Sequence, residues 1–234
     1  MRRTPKDQPR RMLLKLSGEA LQGEEAPLAV PAIEYIAREI AGLEKTELAI
    51  VLGGGNIIRG KTIEWMEQAD ADSMGMLATV INAIALRSLL EREGRKVVIQ
   101  SALVTPLTEK ISYRAAQIAL TEEKIVLFAG GTGNPFVTTD TAAALHSIGI
   151  NATLLAKGSK VNGVFTSDPA IDEKAQYIPH LTHEEFISNR YRVMDLTAIQ
   201  LCCEHDLEIV IFNIFQPEAL TAVSAGKLQG TRIT

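Results

Sequence analysis

LAIVLGGGNIIRG, residues 48–60, is the stretch on which the reading of this chain turns. Its apolar run, Leu48 to Leu52, reads as a buried strand and ends at three consecutive glycines, Gly53, Gly54 and Gly55. Asn56, two β-branched residues, Arg59 and Gly60 follow. Backbone without side chains lets N–H groups approach an anion closely, and a helix starting there would add its positive end. A tight strand-to-helix turn that binds nothing fits the same residues. Taken alone, the stretch leaves both readings open.

Composition narrows the field. A length of 234 residues suits one α/β domain. With 46% hydrophobic and 22% charged residues the chain has the make-up of a globular protein with a sizeable core. A net charge of −4 gives no electrostatic reason to expect nucleic acid or an anionic membrane as partner. Cys202 and Cys203 are adjacent, which excludes a disulfide framework and points to a reducing compartment. MRRTPKDQPRRMLLKLSGEAL, residues 1–21, places basic residues before an apolar piece, but that piece is too short for a signal peptide and Lys15 interrupts it. No uninterrupted apolar run approaches the roughly 20 residues of a membrane helix. The expectation is a soluble, cytoplasmic protein with no membrane or nucleic-acid partner.

Residues 1–10 carry prolines and basic side chains without periodicity and read as a flexible arm. Residues 11–234 read as a single domain, with an acceptor-side first half and a nucleotide-side second half. Strands are expected at Arg11–Leu16, Leu48–Leu52, Lys96–Ile99, Lys124–Ala129, Ala152–Ala156 and Leu207–Phe212. Helices are expected at Ala32–Leu43, Met74–Leu90, near Tyr113–Leu120, and at Thr139–Ile148, Asp195–His205 and Pro217–Val223, the last with proline in its first turn. Strands alternating with helices at this spacing mean an α/β fold on a parallel sheet. The Met74–Leu90 segment is apolar on most of its surface, as in a helix covered by a sheet and a partner subunit, so an oligomer is expected.

The residues that carry chemistry follow strand ends, where open parallel sheets bind ligands. These turns are Lys15-Leu16-Ser17-Gly18, Gly53–Gly60, Gly130–Asp140 (GGTGNPFVTTD) and Lys157–Asp168 (KGSKVNGVFTSD). They hold glycines, hydroxyls, Lys15, Arg59, Lys157, Lys160, Asp140 and Asp168, an inventory suited to phosphates and a Mg²⁺-bound nucleotide. Lys15 interrupts an apolar strand, and an unpaired buried ammonium is expensive. Either its head reaches water over a packed stem, or it bridges phosphates. Thr138-Thr139-Asp140 is both a helix-capping cluster and a set of phosphate donors with a carboxylate able to orient lysines or Mg²⁺. There is no GxxxxGK[ST] loop, no GxGxxG opening the first helix and no GxSxG elbow. His146, His180, His183 and His205 are scattered, so no residues are assigned to a metal.

Further blocks complete the picture: LLKLSGEALQG (13–23), LGGGNIIRG (52–60), DSMGMLATVINAIALR (72–87), AGGTGNPFVTTD (129–140), KGSKVNGVFTSDP (157–169) and VMDLTA (193–198). In this order and spacing they closely resemble the UMP-kinase branch of the amino-acid kinase family, over nearly the whole chain from Arg11. The resemblance implies an α/β/α sandwich around a mainly parallel sheet and a homohexamer built from dimers. The implied reaction is Mg²⁺-dependent transfer of the ATP γ-phosphoryl group to UMP. Lys15, Arg59 and Asp140 would be catalytic, with Asp140 ordering the lysine. Lys15, Leu16, Ser17, Gly18, Gly55, Arg59, Ser159, Phe165 and Asp168 would bind ATP. Gly54, Asp72, Thr132, Gly133, Asn134, Pro135, Phe136, Val137, Thr138 and Thr139 would bind UMP.

Four positions depart from the family's pattern. Ser159 replaces a threonine, and Asn162 replaces the aspartate of the KVDGVF turn. Glu91 and Val98 stand where many relatives carry basic or polar residues that bind GTP, although Arg87 is kept; weakened GTP activation is the expectation. Two other readings compete: a nucleotide-binding storage or regulatory protein of the same fold, and a superfamily kinase acting on a carboxylate or carbamate. Asp72 and the TGNPFVTTD block favour a nucleotide acceptor, and Lys15, Arg59 and Asp140 favour catalysis.

Overall fold

The computed structural model describes residues 10–24, 26–58, 65–169, 171–227 and 229–234. Arg59 and Gly60, and the arm but for Arg10, lie outside the described residues. The first strand, β1 (Arg10–Leu16), begins one residue before the expected start, and Arg10 pairs with Glu208 at 3.3 Å.

The chain continues through α1 (Val30–Ala41), β2 (Thr46–Leu52), α2 (Gln68–Arg92), β3 (Val97–Ser101), β4 (Glu109–Lys110), α3 (Tyr113–Thr121), β5 (Ile125–Ala129) and α4 (Thr139–Gly149). Then come β6 (Leu154–Ser159), β7 (Val164–Phe165), β8 (Tyr177–Ile178), β9 (His180–Leu181), α5 (His183–Ser188), α6 (Leu196–Glu204), β10 (Glu208–Asn213), α7 (Ala219–Ser224) and β11 (Thr231–Ile233). Nine strands form one sheet in the order β4-β3-β5-β2-β1-β6-β10-β11-β9. Every pairing in it is parallel except β10 with β11. The two strands β7 and β8 form a separate antiparallel ribbon.

Strand alternation divides the core into two layers. Met12, Leu14, Leu16, Leu48, Ile50 and Leu52 face one way and pack with residues of α1, α2 and α7. Leu13, Ala49, Val51, Phe128 and Leu155 face the other way and pack with residues of α3, α4 and α6. The three-layer α/β/α architecture on a mainly parallel sheet follows. Because the central strands are buried on both faces, they read as continuous apolar runs. The strands missing from the sequence reading, β4, β7, β8, β9 and β11, have only two or three residues each, too few to show a period.

The helix limits shift for local reasons. α2 begins at Gln68, six residues before the expected Met74, because its first turns (QADADS) are polar and carry no apolar period. A Gln68–Asp72 hydrogen bond of 2.7 Å spans those turns. α2 is long and apolar enough to cross a membrane, yet Ala83, Leu86 and Leu90 are fully buried in the core. On its outer side Leu77 and Ile81 are about half exposed. α7 begins at Ala219 because Glu218 adopts a left-handed conformation (φ 62°), which leaves Pro217 in the preceding turn instead of the helix.

The glycine turn after β2 is pinned by α2. Gly53 N–H donates to the Leu16 carbonyl at 2.8 Å, and Asn82 Nδ2 of α2 donates to the Gly53 carbonyl at 2.7 Å. Asn82 also donates to Asn56 Oδ1 at 2.8 Å. A Cβ on Gly54 would meet the Gly75 carbonyl oxygen at 2.5 Å, so turn and helix touch through backbone. Close packing therefore demands the absence of side chains here whatever the ligand. Asn82 is fully buried, so Asn82→Leu strips the Gly53 carbonyl of its donor; we expect a loss of about 1–3 kcal/mol, measured by urea unfolding.

Candidate active site

Lys15 on β1 and Lys157 on β6 are direct register partners at the carboxyl ends of adjacent parallel strands. Alternation points both to the face covered by α4, whose first turn carries Asp140. Lys15 Nζ lies 2.8 Å from Asp140 Oδ1 and Lys157 Nζ 2.5 Å from Asp140 Oδ2. Lys157 also donates to the Val193 carbonyl at 2.6 Å. Each lysine is only 7% exposed. The lysine in an apolar strand is thus paired and buried, and its head does not escape to bulk water.

Two ammonium groups share the one carboxylate of Asp140 in a nearly dry place. Burial by itself would raise the Asp140 pKa, but Lys15 and Lys157 outweigh it and hold the carboxyl below its ordinary range. For Lys157, burial and the neighbouring Lys15 cation push the pKa down to about 8, against the upward pull of Asp140 and Asp195. Such a cluster can accept an anion, because burying unneutralised charge is costly. Sequence reasoning counted Lys157 among the phosphate-suited side chains but gave it no specific site role. Its signal was present, since LLAKGS repeats the pattern of MLLKLSG: a lysine near the end of an apolar strand, followed by small residues.

The acceptor-side residues converge in part. Gly54, Asp72, Asn134, Val137 and Thr139 line a cleft of about 120 Å³, together with Gly55, which the resemblance assigns to ATP. Gly131, Asn134, Val137 and Thr139 of the segment after β5 form one side of its rim. Gly130 N–H donates to Thr79 Oγ1 of α2 at 2.7 Å, and Phe136 N–H donates to Asp72 Oδ2 at 2.8 Å. Phe136 has φ 66° and its ring is 74% exposed. Thr132, Gly133, Pro135, Phe136 and Thr138 do not line this cleft. Thr132 instead steadies the turn, its Oγ1 accepting from Asn134 N–H at 3.3 Å. Thr138 caps α4, accepting from the N–H groups of Asp140 and Thr141, and donates to Asp195.

On the donor side Leu16 is wholly buried, so only its backbone faces the turn. Gly18 abuts the glycine turn, where a Cβ would meet the Gly53 carbonyl oxygen at 2.9 Å. Ser17 caps the 3-10 turn Gly18–Leu21 through its backbone conformation, without a side-chain hydrogen bond. Phe165 and Asp168 line a cavity of about 650 Å³ together with Arg190, Tyr191 and Arg192. Ser159 is not among its walls; its Oγ accepts from Val161 N–H at 3.3 Å. Asn162, one of the departures, accepts from Asn213 and Gln216 at 3.0 Å each, so an amide serves where a charge was expected.

Both oxygens of Asp140 face ammonium groups, and the described residues hold no group of three or more His, Cys, Asp or Glu that could bind a metal ion. Mg²⁺ takes oxygen ligands such as phosphates and water.

A sheet of this topology with a lysine–aspartate–lysine cluster at its carboxyl edge defines a class, and comparison agrees: residues 10–213 match the Amino acid kinase family. The chain belongs to that family. More particularly, it groups with proteins named uridylate kinase: that of Magnetococcus marinus is 46% identical, covering 96% of this chain and 95% of the relative. The uridylate kinase of Pseudomonas syringae pv. syringae is 42% identical over 96% and 94%. The crystal structure of UMP kinase from Bacillus anthracis superposes with a TM-score of 0.93 at 33% identity, over 96% of each chain. That of UMP kinase from Ureaplasma parvum gives 0.89 at 33% identity, over 96% and 98%.

Two pH dependences follow. Lys157 must stay charged to hold an anion, so kcat/KM for ATP should fall as pH rises through about 8, and the limb should vanish in Lys157→Arg. His146 lies on Phe128 at a centroid distance of 4.4 Å and reaches the Gly131 carbonyl at 3.3 Å. A carbonyl only accepts, so Nε2 carries the proton and Nδ1 accepts from Tyr113 Oη, 3.1 Å away. Burial pushes this imidazole down from 6.5 to about 4. The unfolded chain therefore takes up the proton first as pH falls. Stability is complete above the unfolded pKa and should drop by about 2–3 kcal/mol between pH 7 and 4.5, measured by urea unfolding against His146→Gln.

Proposed function

We propose that the protein transfers the γ-phosphoryl group of MgATP to UMP, giving UDP and ADP. The carrying observation is the buried pair of ammonium groups, Lys15 and Lys157, both on Asp140, beside the Gly54/Asp72/Thr139 cleft. Phosphoryl transfer asks little covalent chemistry of a protein; positioning and charge neutralisation dominate it. A phosphate oxygen of UMP is already a nucleophile and needs no general base. The two ammonium groups stand where charge spreads over the transferring group, and Asp140 keeps them apart and oriented. Glycine N–H groups after β2 hold phosphate oxygens in line.

In this reading UMP occupies the cleft bounded by Gly54, Asp72 and the loop from Thr132 to Thr139. ATP lies over Lys15 to Gly18 and Gly55, with its adenosine towards Ser159, Phe165 and Asp168. Arg59 clamps phosphate. The first half of residues 11–234 then serves the acceptor and the second half ATP, within a single domain. Subunits associate through the outer side of α2, where Leu77 and Ile81 are exposed, into the expected homohexamer. The protein works in the cytoplasm, with its cysteines free. Glu91 is exposed and acidic, so GTP activation is weak or absent.

A coupled UDP-production assay run with UMP, CMP and dUMP tests the reaction; UMP should be the acceptor turned over. Lys15→Ala should lower kcat by about 10²–10³-fold with less effect on UMP binding. Equal turnover would sink the assignment. Initial rates with and without GTP test the effector reading, with a large activation counting against it.

A further inference from the structure

Asp195 stands just before α6, in the VMDLTA block to which no role had attached. Its Oδ1 accepts from Ala198 N–H at 2.7 Å and caps that helix. The same carboxylate takes the Thr141 hydroxyl at 3.0 and 3.2 Å, and the Thr138 hydroxyl as well. These threonines flank Asp140 at the start of α4, and Thr138 Oγ1 in turn accepts from the N–H groups of Asp140 and Thr141 at 3.1 and 3.3 Å. Two residues upstream, the Val193 carbonyl accepts from Lys157 at 2.6 Å. The short segment 193–195 therefore grips both the lysine of β6 and the helix end that carries its partner.

A helix cap needs one acceptor, which asparagine or serine supplies as well as aspartate. Asp195 instead meets a backbone donor and two hydroxyls from another helix with a full charge. We propose that Asp195 is a positioning residue for phosphoryl transfer: it locks the first turn of α4 so that Asp140 divides its oxygens between Lys15 and Lys157. The loop that rims the acceptor cleft runs straight into this turn, so the same contact joins acceptor-side order to the phosphate-binding lysine. The proposal rests on the kinase reading above.

Asp195→Asn keeps the α6 cap but has a single acceptor oxygen and no charge. Its kcat for UDP formation should fall about 10–100-fold, in line with the cost of misplacing reacting groups by about an ångström, with KM for ATP changing less. The charged groups facing the Lys157 ammonium are Lys15 from β1, Asp140 from α4 and Asp195. Removing Asp195 leaves the repulsion from Lys15 less opposed, so the alkaline limb of kcat/KM should move to lower pH. Thr141→Val removes one contact with the cap intact and should lower kcat in the same sense, while Thr141→Ser restores it. A parent that forms no UDP overturns the kinase reading and this inference together. A parent that forms UDP, with Asp195→Asn and Thr141→Val both at parental kcat and pH profile, overturns the positioning role alone. A fall in kcat with an unmoved alkaline limb and no rescue by Thr141→Ser overturns it too.

Discussion

The pairing of Lys15 and Lys157 with Asp140 is the interaction on which the rest of this structure depends. Burying three charges is costly, and a single carboxylate cannot neutralise two ammonium groups. The arrangement is tolerable because two adjacent parallel strands end side by side under the N-terminus of a helix. In the proposed reaction, an incoming phosphoryl group would meet these ammonium groups. Function and electrostatic strain are here the same fact.

The surrounding structure can be understood as support for that cluster. Asn82 and Asn56 tie the glycine turn to α2, so that its backbone stays where the strands end. Thr79 and His146 tether the two glycines after β5, one from α2 and one from α4. Asp195 and the Val193 carbonyl close the cluster from the segment before α6. The tethers from Asn82, Thr79 and His146 run to short turns, so those loops are held by hydrogen bonds from buried polar side chains.

Much of this was legible before any coordinates. The apolar runs gave the central strands, since a sheet covered on both faces leaves no polar alternation to confuse them. The chemistry-bearing turns announced themselves as glycines, hydroxyls and charges placed after those runs. Less legible were the two-residue strands, the polar opening of α2 and the left-handed Glu218 that delays α7, because none of them has a periodic signature. Lys157 was visible as a residue but not as a partner of Lys15, since 142 positions separate them in the chain and only strand register makes them neighbours.

The sequence by itself determined the α/β class on a parallel sheet, the glycine- and hydroxyl-rich turns at strand ends and the residue types available there, because periodicity and backbone freedom are local properties. Tertiary structure alone decided which of those residues meet. The β1–β6 pairing set Lys15 beside Lys157, and the packing of α4 brought Asp140 between them. The approach of α2 turned the glycines after β2 from a possible anion cradle into a contact that needs glycine for steric reasons as well. Register and packing bring together atoms far apart in the chain, and no local pattern encodes that distance.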